Sequence, residues 1–344
     1  MSLTPDEARA FHGEICVLDL HADTPKLMDK LGYDLGERHE RRVPKRLNML
    51  GHVDLPRLRD GGVAGQFFAL WTWPSYVPGA ERSNLRSVTA QLDALDAAIA
   101  KHGDELAWAR TGADIRAAKA AGKVAALGGI EGGHALEGRV DAIEMFARRG
   151  VRYLGPLHLW PSDLGGTSRK PKLDVGLSDL GREVVRECER CGVIVDLAHI
   201  NRRGFFEALE ISANPVMVTH TGVNGVHPSW RNLDDDQLRA IAQTGGCIGI
   251  IFARQFLGGA SIDAVVDHVL NVIAVAGEEA PALGSDFDGF VIPPEGLEDI
   301  ASLPNLTVAL SRRGVTPRVL EKILGGNVMR VLDAVPAWGR LAAS

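Results

Sequence analysis

No window of the sequence approaches the ~18 consecutive apolar residues that a membrane-spanning helix needs, so nothing in it reads as a transmembrane segment. The opening stretch Met1 to Gly13 is too polar for a signal peptide and the residues after Trp338 are not a hydrophobic tail, so neither a signal peptide nor a lipid anchor is expected. Cysteine is scarce: Cys16, Cys188, Cys191 and Cys247 are too few to staple a chain of 344 residues, which fits a reducing compartment, and a cytoplasmic location is expected. Cys188-x-x-Cys191 resembles half of a zinc ribbon, but there is no second CxxC and the pair falls in the helical stretch Ser178 to Cys191, so no metal or redox role is expected of it. Positive charge is not in excess either, with 38 Lys and Arg against 44 Asp and Glu, a net −6. Such a chain has no global field to recruit nucleic acid or an anionic membrane, and a small-molecule substrate becomes the default.

What the sequence does contain is the profile of a soluble enzyme, 45% hydrophobic and 24% charged. Eight short apolar runs recur: Ile15–Leu20, Val63–Leu70, Val124–Ile130, Val151–Leu157, Val193–Ala198, Val216–Thr219, Cys247–Phe252 and Ala282–Ser285. Most are apolar throughout rather than alternating, as strands buried on both faces are. Between them lie stretches of helical period stopped by glycine: Ser83 to His102 before Gly103, a capping-box-like Thr111 and Asp114 running to Gly122, and Val140–Arg149 before Gly150. The same punctuation closes Ser178–Cys191, Asp234–Thr244 and Ser261–Ala276. Repeated β-α units of this number predict an α/β protein, a (β/α)8 TIM barrel filling residues 1–344 as a single domain. An insertion loop is expected at about 25–54 after the first strand, and Thr316-Pro317 opens a C-terminal helix at about 316–334. The basic run within the insertion, Glu37 to Arg42 with Lys45-Arg46, contains two Glu and no interleaved aromatics, and reads as a solvated loop. Trp71 to Pro78 is an aromatic loop that a barrel would place at its catalytic rim.

Ligand-type residues sit at the C-terminal ends of six of the eight runs, the end where barrel enzymes build their sites. The first run closes with His21-Ala22-Asp23, an imidazole and a carboxylate two apart and thus on one face of a continuing strand, which suits a divalent metal. The third ends in Gly129-Ile130-Glu131-Gly132-Gly133-His134, where Glu131 has the reach to bridge two ions and His134 reads either as a residue behind the ligands or as a helix start. The others supply His158, Asp196 and His199, His220, and Asp286 with Asp288. A closed barrel would converge these on one mouth, which points to a metal-dependent hydrolase.

In that order, these strings, together with Arg152-Tyr153-Leu154, Arg231-Asn232, Pro294 to Asp299 and Gly326 to Val331, resemble the membrane (renal) dipeptidase family of zinc peptidases among the amidohydrolase-like barrels, from about Ile15 to Val335. The resemblance implies a zinc-dependent dipeptidase that hydrolyses the amide bond of dipeptides, including L-Xaa-D-Xaa, by a metal-bridging hydroxide. It further implies two Zn2+ per chain, with His21 and Asp23 on one, His199 and His220 on the other, and Glu131 bridging both. His158 would meet the substrate and steady its oxyanion, Asp286 would shuttle the proton, and Arg231 would grip the terminal carboxylate, whose shape its planar fork matches. A homodimer is the expected assembly, with no nucleic-acid or membrane partner.

Two departures from the family pattern fall where a pocket wall is expected: Ile251-Phe252-Ala253-Arg254 after the seventh run, and Leu159-Trp160-Pro161 after His158. Both bear on substrate preference. A barrel amidohydrolase acting on another amide, a lactone or an ester is the first alternative, and a non-catalytic barrel that binds metal or peptide is the second. Relatives of the first kind often bridge their metals with a carboxylated Lys, whereas here Glu131 stands on the third run and no Lys follows the fourth until Lys170.

Overall fold

A computed structural model describes residues 2–40, 50–170 and 172–339. The apolar runs form parallel strands: β1 (Val17–Ala22), β2 (Val63–Trp71), β3 (Leu106–Trp108), β4 (Val124–Glu131), β5 (Val151–Gly155), β6 (Ile194–Val195), β7 (Met217–Thr221), β8 (Cys247–Ile250) and β9 (Pro281–Leu283). β3 is an addition that the pattern of runs did not suggest, three residues paired to the start of β4. The remaining eight strands are buried along their whole length, which is why their sequences are apolar without alternation.

The strands form two parallel sheets, one ordered β1-β2-β4-β5-β6 with β3 on the side of β4, the other β7-β8-β9. Single bridges join the sheets at both flanks. Asp196 pairs with Met217, reinforced by Leu197 N–H donating to Met217 O at 2.8 Å. Ala22 pairs with Phe287, where Asp23 N–H donates to Phe287 O at 2.8 Å and Asp286 N–H to His21 O at 3.0 Å. The second set of bonds binds the end of β1 directly to the segment after β9.

Helices follow the strands as the glycine stops indicated, including Asn84–Lys101, Gly112–Ala120, Asp179–Cys191, Asp235–Gln243 and Ile262–Ala276. The segment after β1 opens with helix Thr24–Leu31 rather than running as loop throughout, and helix Leu55–Asp60 begins at its far end; the part of the basic run from Arg41 to Arg46 lies outside the described residues. Near the C-terminus, helix Pro317–Glu321 passes through a wide turn at Lys322–Gly326 into helix Asn327–Ala334. The reason is contact: a Cβ on Gly325 would lie 1.9 Å from the carbonyl oxygen of Cys16, so the turn packs backbone to backbone against the approach to β1. Cys188 and Cys191 are buried on helix Asp179–Cys191, where burial pushes both thiols up, Cys191 to about 12.

Candidate metal centre

Each strand that carries a ligand-type residue releases it at its C-terminal end, and those ends meet. His21 is the penultimate residue of β1, Asp23 follows it directly, Glu131 closes β4 and His220 lies in β7. His158 and His199 come from the connections after β5 and β6, and Asp286 from that after β9. His199 and Asp286 both take left-handed backbone, φ +64° and +61°, which L residues adopt rarely and which surrounding structure must hold in place.

Glu131 is the hub. Its Oε1 lies 2.8 Å from His199 Nε2, 3.3 Å from His220 Nε2 and 3.8 Å from His21 Nε2, while its Oε2 is 3.4 Å from His158 Nε2. His21 Nε2 is 3.5 Å from Asp23 Oδ1 and 3.9 Å from Asp286 Oδ1. The donor atoms form overlapping groups tight enough for an ion: His21 with Asp23 and Glu131, Glu131 with His199 and His220, and His21 with His220 and Asp286. All of these residues except Asp286 are buried to within a few per cent.

For two of the histidines, His21 and His220, a neighbour on Nδ1 fixes which nitrogen faces the centre. Tyr153 Oη lies 3.0 Å from His21 Nδ1, and Thr219 Oγ1 2.9 Å from His220 Nδ1 while donating to Asp196 Oδ2 at 2.7 Å. With Nε2 turned inward, each Nδ1 carries the proton and donates it outward, the arrangement that orients a ligating imidazole. Asp196 is thus occupied with backbone and hydroxyl donors, the amides of Ala198 and Thr219 included, and orients the histidines from outside the centre. Asp19, hidden within β1, accepts from Gln66 on β2 and from the amide and hydroxyl of Ser285, and so ties β1 to β2 and to the segment after β9. Asp288 accepts from Thr24 and the amides of Gly51 and His52, and so serves the fold. His134 stands in the turn Gly133–Leu136 with Nε2 2.9 Å from Thr72 O.

The charge balance calls for a cation. Burial, and then repulsion from neighbouring carboxylates, Asp288 beside Asp23 and Asp23 beside the other two, push the carboxyls of Asp23 and Glu131 well above the usual range, and Asp286 up to about 8. Burial and neighbouring positive charge hold His158, His199 and His220 well below their ordinary value, hence neutral, which leaves His199 and His220 ready to donate lone pairs. Arg231 supplies one buried positive charge, its guanidinium 3.3 Å from His199 Nε2 and donating to His220 O. Two buried carboxyls and the partly exposed Asp286 are more than one Arg can balance, and His21 Nε2 and Asp23 Oδ1, which face each other, have no hydrogen-bond partner. Divalent ions among these donors would satisfy both demands.

A cavity of about 420 Å³ opens above the centre, lined by Asp23, Glu131, His158, His199, His220, Arg231 and Asp286 on its floor. Its walls are aromatic: Trp71 meets Trp73 and Phe290 edge-on and Trp160 stands beyond Trp73, while Trp230 and Phe256 form a second edge-on pair. Trp73 stacks along His158 and meets Trp160 edge-on with ring centroids 5.1 Å apart, so the Trp71 to Pro78 loop and the Trp160 departure build one wall together. The other departure does not reach the cavity. Ala253 is fully buried ahead of the short helix Arg254–Leu257, and that helix presents Gln255 and Phe256 instead.

A family model described as membrane dipeptidase (peptidase family M19) matches residues 5–343. Dipeptidase tcpJ of Claviceps purpurea is 34% identical over 300 residues, which cover 84% of this chain and 70% of the relative. Among solved structures, dipeptidase AC, a metallo peptidase of family M19, superposes with a TM-score of 0.83 at 30% identity, covering 94% of this chain and 99% of that one. A metallo peptidase from Rhodobacter sphaeroides, solved with a phosphinate mimic of the dipeptide L-Ala-D-Ala, matches with a TM-score of 0.83 at 29% identity over the same shares of the two chains. With a family model spanning nearly its whole length and a carboxylate-imidazole cluster at the converging strand ends, the chain belongs to the membrane dipeptidase family, peptidase family M19, and is a metallo-dipeptidase.

Proposed function

We propose a dinuclear zinc dipeptidase that cleaves the single amide bond of dipeptides, including those with a D-residue on the C-terminal side. The observation that carries the reading is the shared oxygen of Glu131, within 4 Å of imidazole nitrogens from β1, β7 and the connection after β6. His21 and Asp23 would hold one ion, His199 and His220 the other, with Glu131 between them. Zinc is suited to such nitrogen and oxygen donors and, with three protein ligands per ion, leaves a position open for chemistry. When bound, the pair would polarise the scissile carbonyl and acidify the attacking water.

The remaining roles fall to the chain's own side chains. Asp286 Oδ1, beside His21, takes the proton from the water and delivers it to the leaving amine. His158 Nε2, next to Glu131 Oε2, donates to the oxygen on which negative charge develops. Arg231 holds the substrate's terminal carboxylate by a paired, charge-assisted contact. The aromatic walls exclude water and leave room for a small substrate. The support for D-residue tolerance is the Rhodobacter sphaeroides structure, solved with its L-Ala-D-Ala mimic.

We infer in addition that the eight long-buried strands close into one (β/α)8 barrel forming a single domain, which the bridges at both flanks of the two sheets support. A homodimer and a cytoplasmic location are part of the same proposal, the first resting on the family resemblance and the second on the sequence's scarce cysteine; sedimentation of the purified protein tests the assembly.

The test is release of free amino acids from L-L and L-D dipeptides, Ala-D-Ala among them, by zinc-reconstituted protein, with a chelator-treated control and tripeptides alongside. Chelator-sensitive cleavage of dipeptides but not tripeptides is expected. Two bound metals with no dipeptide cleavage would overturn the reading and favour another amide, a lactone or an ester.

A further inference from the structure

The cavity holds a second arginine that the proposed chemistry does not use. Arg169 lines it at the mouth, with its guanidinium 4.2 Å from the ring centre of Trp160. Three observations set it apart from an ordinary surface cation. First, its place is fixed by the site itself: Ser168 N–H donates to His199 O at 2.8 Å, and Thr167 Oγ1 lies 2.7 Å from His158 O and 3.0 Å from His199 O. The segment that carries Arg169 is therefore tied to the backbone of two residues of the centre. Second, the guanidinium is ordered by stacking, because Trp160 is itself held edge-on by Trp73, and Trp73 by His158. Third, among the described residues no carboxylate forms an ion pair with Arg169, whereas most of the described arginines are so paired. Lys170 and Lys172 follow it around a shallow outer hollow that also includes Arg169, Pro161 and Leu173, extending the positive rim.

The floor of the cavity has the opposite balance. Its carboxylates, Asp23, Glu131 and Asp286, are committed to metal and proton transfer, and Arg231 to the terminal carboxylate. A bound dipeptide then presents its side chains to the aromatic walls and, on one wall, to a stacked guanidinium with free donors.

We propose that Arg169 is a specificity-determining residue for substrates that carry a second carboxylate, that is, dipeptides with an Asp or Glu side chain. A planar guanidinium held flat on Trp160 offers a paired set of N–H donors to a carboxylate at little further cost in order. The lysines beyond it draw the same substrates in. This inference rests on the dipeptidase reading.

The experiment compares isosteric pairs: Ala-Asp with Ala-Asn and Asp-Ala with Asn-Ala, each as kcat/KM with the zinc-loaded protein. In at least one position of the acidic residue, the Asp substrate should exceed its Asn partner by about 10-fold, a size suited to one charge-assisted contact. The ratio should fall toward unity in Arg169→Gln, chiefly through KM. In Arg169→Glu it should invert, with Ala-Lys or Lys-Ala gaining over the uncharged Gln analogue. Raising the salt concentration should shrink the wild-type ratio. Cleavage of neutral dipeptides without any acidic preference overturns this inference and leaves the dipeptidase reading intact, as does a preference that survives unchanged in Arg169→Gln and Arg169→Glu. Failure of the wild-type enzyme on every dipeptide overturns both.

Discussion

The hydroxyl of Tyr153 lies 3.0 Å from Nδ1 of His21, so a residue in the middle of β5 orients an imidazole on β1. Removing only that oxygen should loosen the ligand without opening the core. Tyr153→Phe is expected to bind metal roughly 10- to 100-fold more weakly, the usual consequence of losing the partner of a ligating histidine. Competition with a chromophoric chelator measures this directly, and unchanged affinity would remove Tyr153 from the centre.

The ring that carries this hydroxyl occupies space that Gly129 leaves vacant. A Cβ at position 129 would fall 2.0 Å from Cζ of Tyr153. Gly129→Ala should therefore cost roughly 1–3 kcal/mol of stability, the range for overfilling a packed interior, and should weaken metal binding as well because Tyr153 must move. Urea unfolding of the apo-protein and metal competition together check both halves.

Asp286→Asn should keep both metals and lose turnover by roughly 100- to 10,000-fold, the span attributed to a positioned proton-transfer group. Metal analysis of the purified variant decides the matter. Loss of an ion would assign Asp286 to the group it also forms with His21 and His220, as a ligand.

Arg231→Ala should raise KM for dipeptides by roughly 10- to 100-fold, in line with the loss of bonds to a charged group. A C-terminally amidated substrate should suffer far less. Equal losses on the two substrates would show that Arg231 acts by supporting His199 and His220 rather than by gripping a carboxylate.

Acid stability offers a test away from the centre. His268 Nδ1 accepts from Val223 N–H at 2.9 Å and its Nε2 donates to Leu257 O at 3.2 Å, so the folded state holds the neutral ring. Burial lowers its pKa to about 4. Below an unfolded value of ~6.5 the unfolded chain takes up a proton that the folded chain refuses, so this contribution is present above ~6.5 and is lost as pH falls toward 4, by about 3 kcal/mol. His268→Gln keeps a donor and an acceptor but does not titrate. Denaturation midpoints of the variant should fall less steeply over that interval than those of the wild type, and parallel curves would refute the assignment.

The reactive centre could be read from the sequence because each of its members interrupts or ends an apolar run: His21, Glu131, His220 and Asp286 are conspicuous where Leu, Val and Ile precede them. Tyr153 was not legible as a positioning residue, because an aromatic inside a buried strand looks like packing and its partner lies 132 residues earlier in the chain. Asp196 is the converse case. At a strand end it resembles a ligand, yet two backbone amides and a hydroxyl satisfy it. Several helices escaped notice for a local reason. The first, Pro5–Glu14, is announced by the reciprocal cap of Thr4 and Glu7 rather than by a glycine stop, and Arg202–Ile211 is opened by the side chain of Asn201. Trp160 reached the cavity wall and Ala253 did not, because side-chain direction just past a strand depends on how the following turn is wound.

The two sheets touch through single bridges at each flank, and the donor groups draw on both: His21 and Glu131 from one sheet, His220 from the other. An ion held among them is consequently a rivet across two seams. Stripping it should do more than silence the chemistry. Amide hydrogens at Leu197 and at Asp23, which close the seams, should exchange faster in the chelated protein while those inside β2 and β4 keep their protection, and heat should then part the molecule along those lines before the sheets themselves give way.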